Sequence, residues 1–384
     1  MDNRETLELA RDLVRIDSVN PRLVPGARGE EEIARFVHDF LERHGVTSMM
    51  MEVEPGRPNV VARLPGDDDG PSLLLCCHMD TVSAAGMQSP FEALVDDGRL
   101  YGRGAHDVKG GLAALLAATV LISKGPRRGG ELVVAAVVDE EYRSSGTEAL
   151  IESIQADAAI VFEPSDLKIM VAHKGFAWFE IETRGVAAHG SRPAEGVDAI
   201  AHMGRVLSAL EALDHKLRSL PPHPHLGPPS VHASLIEGGR ELSSYPDACR
   251  LQIELRTIPG ETETEVAAEL NRLLSRLSAE DDRFHAKCEL RFARQPYEIS
   301  SSHALPQAMA RAVERATQRS VEFGGLTAWT DSAILSGASI PSVIFGPGGA
   351  GLHSLEEYVL TQDIFDCRDT LVELAEEYCR RRRR

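Results

Sequence analysis

Leu7, Leu9, Leu13, Val14 and Ile16 recur at spacings that gather apolar side chains on one side of a helix. Residues 31–44 predict a second helix, closed by Gly45 just past its end, where a glycine is favoured. Three apolar runs come next, at 72–77, 131–138 and 158–162, each reading as a buried strand. Between the first two, the Leu, Ala and Val residues of 110–123 predict a helix. Strand, helix, strand at this spacing predicts an α/β domain whose largely parallel sheet is flanked by helices.

Near His173 the pattern changes. Residues 176–183 alternate as a half-exposed strand does, and a helix is predicted around 198–213. A loop rich in Pro and His (220–229) leads to strand-like 230–236 and 248–257, a helix at 263–277 and a closing strand at 286–292. The order β-α-β-β-α-β is that of a ferredoxin-like α+β sandwich. The first style then resumes, with a helix at 304–318, an apolar run at 342–345 and a last helix from about 362. That helix carries Ile364, Cys367, Leu371, Leu374 and Tyr378 as one stripe. A domain of residues 175–290 is therefore expected to be inserted into one built from 1–174 and 291–384.

At 384 residues the chain exceeds the roughly 250–300 at which a single core stops growing, which fits two domains. No run reaches the roughly 18 apolar residues of a membrane span, and the polar start of the chain does not read as a signal peptide. The net charge of −18 would repel nucleic acid and anionic membranes. The basic run 380–384 reads as a solvated tail at a helix end. Six cysteines without a C-x-x-C pair suit a reducing cytoplasm rather than a disulfide scaffold.

In open α/β sheets ligands collect beyond the carboxyl ends of the strands. The apolar runs give way in turn to His78-Met79-Asp80, to Asp139-Glu140-Glu141, to Glu163, and to Gly346-Pro347-Gly348-Gly349-Ala350-Gly351-Leu352-His353. Gly102–Asp107 precedes the apolar helix. One such Asp or His is ordinarily a turn or cap residue. Several carboxylates converging on one edge repel one another unless neutralised, and a pair of divalent cations would do that. Imidazole with carboxylate suits zinc, and Asp80 can fix the tautomer of His78.

These segments resemble the zinc-dependent aminoacylase / acetylornithine deacetylase / succinyl-diaminopimelate desuccinylase / carboxypeptidase G family. The resemblance lies in LLLCCHMDTV…DGRLYGRGAHDVKGG (73–111), VVDEEYRSSGTEAL (137–150), AAHGSRPAEGVDAI (187–200) and TDSAIL…PSVIFGPGGAGLHSLEEYV (330–359), which stand in the family's order. It implies a zinc-exopeptidase-like sheet and two divalent metal ions, zinc with cobalt as an alternative. His78 and Glu163 would hold one ion, Glu141 and His353 the other, and Asp107 would bridge them. Glu140 would be the general base, and a cis peptide is implied between Asp107 and Val108. His189 would donate to the oxyanion, often across a dimer formed by the inserted domain. Arg256 would hold a substrate carboxylate; a strand-edge surface arginine is its plainer reading. The glycines of 346–351, Gly348 among them, would either admit backbone to the substrate or make a turn.

The sequence departs from the family at Cys77, where Gly is usual, and at Ser243-Ser244-Tyr245-Pro246, where many members carry an Asn-containing motif. His106 adjoins Asp107 and could compete with it as a ligand, which is its minor reading, and His223 and His225 read as loop residues. The resemblance implies an amidohydrolase acting on an N-acyl amino acid or small peptide, closest to an acetylornithine deacetylase. A dipeptidase or carboxypeptidase, an aminopeptidase of related fold and a noncatalytic metal-binding protein of the same fold are the rivals.

Overall fold

Apolar side chains on both faces make 72–77 the middle of a strand, Gly70–His78, that is buried nearly throughout. The computed structural model describes residues 1–67, 70–126 and 129–379 and divides the chain into two units. Unit 1 comprises Met1–Val171, Ile299–Gly324 and the chain from Thr330 on; unit 2 comprises Ala172–Glu298 with Gly325–Trp329. The run 380–384 lies outside the described residues.

In unit 1, Gly130–Val137, Gly70–His78, Ala158–Val161 and Ser342–Ile344 lie side by side and parallel. The register pairs His78 with Val137, Cys76 with Val161 and Ile344 with Val161, so these strands end near one level. Arg57–Leu64 and Ser48–Glu54 extend the sheet antiparallel on one side, and Ile344 meets Met170 antiparallel on the other. The sheet is mixed, largely parallel and flanked by helices. Asn3–Arg15 starts at a capping box, in which Asp2 accepts from the Glu5 amide and Glu5 from the Asp2 amide. It packs, as does Thr361–Tyr378, against Gly110–Lys124. Ala105–Lys124 is long and apolar enough to cross a membrane by length and composition, yet 89% of its most apolar window is buried. A helix apolar all round is here a core helix.

A small sheet in the order Gly349–Ala350, Tyr358–Leu360, Arg99–Tyr101, Leu94–Asp96 joins the glycine-rich loop to the segment before Asp107.

Unit 2 is a four-stranded antiparallel sheet in the order Ser230–Gly238, Ala248–Thr257, Gly175–Arg184, His285–Arg294. With its two helices, Ala199–Arg218 and Glu263–Glu280, it has the ferredoxin-like arrangement. Alternation buries Ala177, Phe179 and Ile181 against Met203, Val206, Leu270 and Leu274. The closing strand and the segment to Glu298 belong to this unit, because His285–Arg294 pairs along Gly175–Arg184. The excursion Gly325–Trp329 belongs to it as well: the Trp329 indole donates to the Gln295 carbonyl (3.1 Å) and packs edge-on to Phe176.

Candidate metal centre

Three of the four parallel strands of unit 1 hand over to polar residues at their carboxyl ends, and Ser342–Ile344 to Phe345 and the glycine-rich loop. His78 closes its own strand; Asp139, Glu140 and Glu141 come one residue after Gly130–Val137; Glu163 comes after Ala158–Val161 and Phe162. Two groups of ligand atoms result, each within 4.8 Å of one another: His78, Asp107 and Glu163, and Asp107, Glu141 and His353. Asp107 belongs to both. Its Oδ1 lies 3.2 Å from His78 Nε2 and its Oδ2 3.3 Å from His353 Nε2, which is also 3.3 Å from Glu141 Oε2. The Asp107–Val108 peptide is cis.

Beneath these groups lies Asp80, fully buried. His78 Nδ1 donates to the Asp80 carbonyl (3.0 Å), leaving Nε2 facing Asp107. The Asp80 carboxylate accepts from the amides of Glu140 (3.1 Å) and Glu141 (3.2 Å), fixing the turn that carries both.

The electrostatics come from crowding. Burial pushes Glu140 and Glu163 well above the usual carboxyl range; the charge of Glu163 adds to it at Glu140, and that of Asp107 at Glu163. Burial and the Asp107 charge push Glu141 up to about 7. Burial works against Asp107, but the bonds to His353 and His78 prevail and hold it well below the usual range. His353 is raised to about 10 by its bonds to Asp107 and Glu141. Glu141 Oε1 and Glu163 Oε1 are buried with no hydrogen-bond partner, a costly condition for a carboxylate. Oxygens and imidazoles in two groups sharing one carboxylate fit a pair of divalent cations, which would replace the protons the imidazoles hold.

Sequence reasoning missed three residues here. Glu357 accepts from Arg103 Nη1 (2.6 Å) and from the amides of Gly104 (3.0 Å), His106 (2.9 Å) and Asp107 (3.1 Å). Arg103 also donates to the Ser83 and Ser354 carbonyls. Both are buried and lie within the motif segments, so an unpaired Arg and Glu in those segments were the available signal. Asp331 is the third omission: it accepts from Thr147 (2.5 Å), and burial pushes it up to about 6.

Other expected residues have different surroundings. The Cys77 thiol is buried and pushed far up by burial, so it is an inert filler. His106 is buried against Gly349, where a Cβ would come within 2.9 Å of its ring, and it belongs to neither ligand group. Gly348 donates its amide to Asp363 (3.1 Å), and a Cβ there would lie 2.6 Å from Asp363 Oδ2 and 2.8 Å from Asp166 Oδ1, so a larger residue would have to displace both carboxylates. In unit 2, His189 is exposed and its Nδ1 accepts from the Ser191 amide (3.2 Å), which leaves the proton of the neutral ring on Nε2. Arg256 pairs with Glu254 (2.6 Å), its guanidinium 5.5 Å from the Phe176 ring centre. His223 pairs with Glu298 (3.1 Å) in the loop before Ser230.

The family model described as Peptidase family M20/M25/M40 matches residues 74–377. Among curated proteins, an N-formyl-4-amino-5-aminomethyl-2-methylpyrimidine deformylase of Bacillus subtilis is 29% identical over 412 residues, covering 99% of this chain and 96% of its own. An acetylornithine deacetylase of Myxococcus xanthus is 29% identical over 384 residues, covering 96% of each. Among solved structures, a tripeptidase of Staphylococcus aureus superposes with a TM-score of 0.83 at 21% identity, covering 99% of this chain and 100% of its own.

Proposed function

The chain belongs to peptidase family M20/M25/M40, and from that premise we propose a two-metal deacylase that cleaves the amide of an N-acyl amino acid carrying a free carboxylate. The observation that carries this reading is the division of one carboxylate: Asp107 turns one oxygen to each imidazole, and Glu163 and Glu141 complete the two groups. Two divalent ions held there, zinc or cobalt, would supply Lewis-acid polarisation of the amide carbonyl and acidify a water.

The protein's own groups do the rest. Glu140, whose buried carboxyl binds a proton readily, takes the proton from the attacking water and delivers it to the departing amine nitrogen. Asp80 keeps that carboxylate in place through the Glu140 amide. His189, with its Nε2 proton outward, is assigned as a donor to the developing oxyanion. Arg256 is assigned to the substrate carboxylate, which a guanidinium fork suits. The inserted unit is assigned as the surface for a second copy of the chain: Leu235 and Ile236 are exposed on Ser230–Gly238, an end strand of its sheet.

A deacylase is favoured over a dipeptidase because the names of both curated relatives describe removal of an acyl group from an amine. The test is a panel of N-acetyl and N-formyl amino acids and of dipeptides with a free α-amine, assayed with defined zinc or cobalt. The N-acyl amino acids are expected to turn over faster than the free-amine dipeptides; the reverse preference refutes deacylation. Glu140→Gln should lower kcat by about 10²–10⁴-fold with metal content unchanged. If neither form hydrolyses any member of the panel, a noncatalytic binding role replaces this one.

A further inference from the structure

A chain of buried charged and polar groups runs behind the proposed centre, away from the ligands. Asn20, fully buried, donates from Nδ2 to Asp80 Oδ2 (2.8 Å) and to Asp139 Oδ1 (3.0 Å). Its own Oδ1 accepts the Arg22 amide (2.9 Å), which fixes the amide's orientation. Arg57 donates from Nη2 to the same Asp139 oxygen (3.0 Å) and from Nε to Glu30 Oε2 (2.8 Å). Glu30, fully buried, lies 3.3 Å from the Asp139 amide.

Asp139 is the hinge of this arrangement. Its φ is +68°, a left-handed conformation that non-glycine residues hold only when their surroundings fix it. Its carbonyl accepts the amides of Arg143 (3.0 Å) and Ser144 (2.5 Å), and its Oδ2 the Ser145 hydroxyl (2.9 Å). The next two residues are Glu140 and Glu141. The side of the turn facing the ligands is held by Asp80, and the far side by Asp139. Asn20 bonds both carboxylates, and without its amide donor Asp80 and Asp139 would face each other with no donor between them, Arg57 holding only Asp139.

We infer that Asn20, backed by the Glu30–Arg57 pair, is a positioning residue that sets the Glu140–Glu141 turn by clamping Asp80 to Asp139. The inference rests on the two-metal reading and adds an asymmetry to it. His78 is oriented chiefly by the backbone carbonyl of Asp80 (3.0 Å), with Asp80 Oδ1 farther off at 3.6 Å, and Asn20 touches neither atom; the Glu141 amide is oriented by Asp80 Oδ2, the oxygen that Asn20 bonds. Loss of Asn20 should therefore loosen the Glu141–His353 group and spare the His78–Glu163 group.

The experiment is a calorimetric zinc titration of the metal-free protein, comparing wild type with Asn20→Ala and Asn20→Asp. Wild type is expected to bind two ions per chain. In the variants one ion should keep its affinity and the other bind about 10–100-fold more weakly, the usual penalty for losing a ligand's supporting partner. kcat should fall while KM holds. Equal weakening of both ions, or a lower melting temperature with both affinities intact, overturns the inference and leaves Asn20 a structural residue. Fewer than two ions in wild type refutes the two-metal reading itself, whatever Asn20 does. Hydrogen exchange on the metal-free wild type decides the matter without a variant: the Glu140 and Glu141 amides must exchange slowly, and exchange at an open loop's rate overturns the clamp.

Discussion

His173 is a fully buried imidazole whose Nδ1 donates to the Lys174 carbonyl (2.8 Å) and whose Nε2 has no partner. Burial lowers its pKa to about 4. The unfolded chain protonates this ring near pH 6.5, but the folded chain does so only near 4, so between those values the unfolded state binds more protons. Stability is thus fully present above about pH 6.5 and declines by about 3 kcal/mol as pH falls to about 4. Asn can replace the Nδ1 donor without titrating. The stability difference between wild type and His173→Asn, measured in denaturant at pH 7 and pH 4, should shift by that amount against wild type at low pH. A difference independent of pH would show that the ring protonates without unfolding. At this scale legibility was uneven. Glu163 could be read because it directly succeeds an apolar run, and His78 because it ends one. Asn20 and Asp139 could not, because their roles exist only through contacts such as the one between positions 20 and 80.

Among the elements, the segment Gly102–Asp107 and the loop after Ser342–Ile344 are fastened together by Arg103 and Glu357, a buried pair 254 positions apart in sequence. Removing Arg103 leaves Glu357 buried with its three amide donors but without a counter-charge, a loss of about 3–5 kcal/mol. Arg103→Met should therefore lower stability by that amount and weaken zinc binding, because the Asp107 amide hangs from the same carboxylate. Adding Glu357→Gln should restore part of the loss. An unchanged melting temperature in Arg103→Met would contradict the fastening role. The parallel strands were legible because burial on both faces makes them continuous apolar runs. Ser48–Glu54 and Arg57–Leu64 escaped notice for opposite reasons. The first is half exposed, and the second begins with Arg57 and Asn59, polar residues that are buried only because Glu30 and the Gly146 carbonyl pair with them. The Thr361–Tyr378 helix was legible from its single stripe of Ile364, Cys367, Leu371 and Leu374, all buried.

For the whole molecule, the change of periodicity near His173 lies beside Ala172, the first residue of unit 2, whose sheet has one covered face. The return of Gly325–Trp329 to that unit left no periodic trace, since it is held by the Trp329 ring and a bond to Gln295. The net charge of −18 and the carboxylates gathered at one sheet edge fit the binding of cations there. The most direct measurement is metal content per chain after exhaustive dialysis and reloading with zinc, for wild type and Asp107→Asn. Two ions per wild-type chain, and loss of both or of tight binding for both in Asp107→Asn, is the predicted result. One ion in wild type, or two retained after Asp107→Asn, would contradict the shared carboxylate on which the hydrolase reading stands.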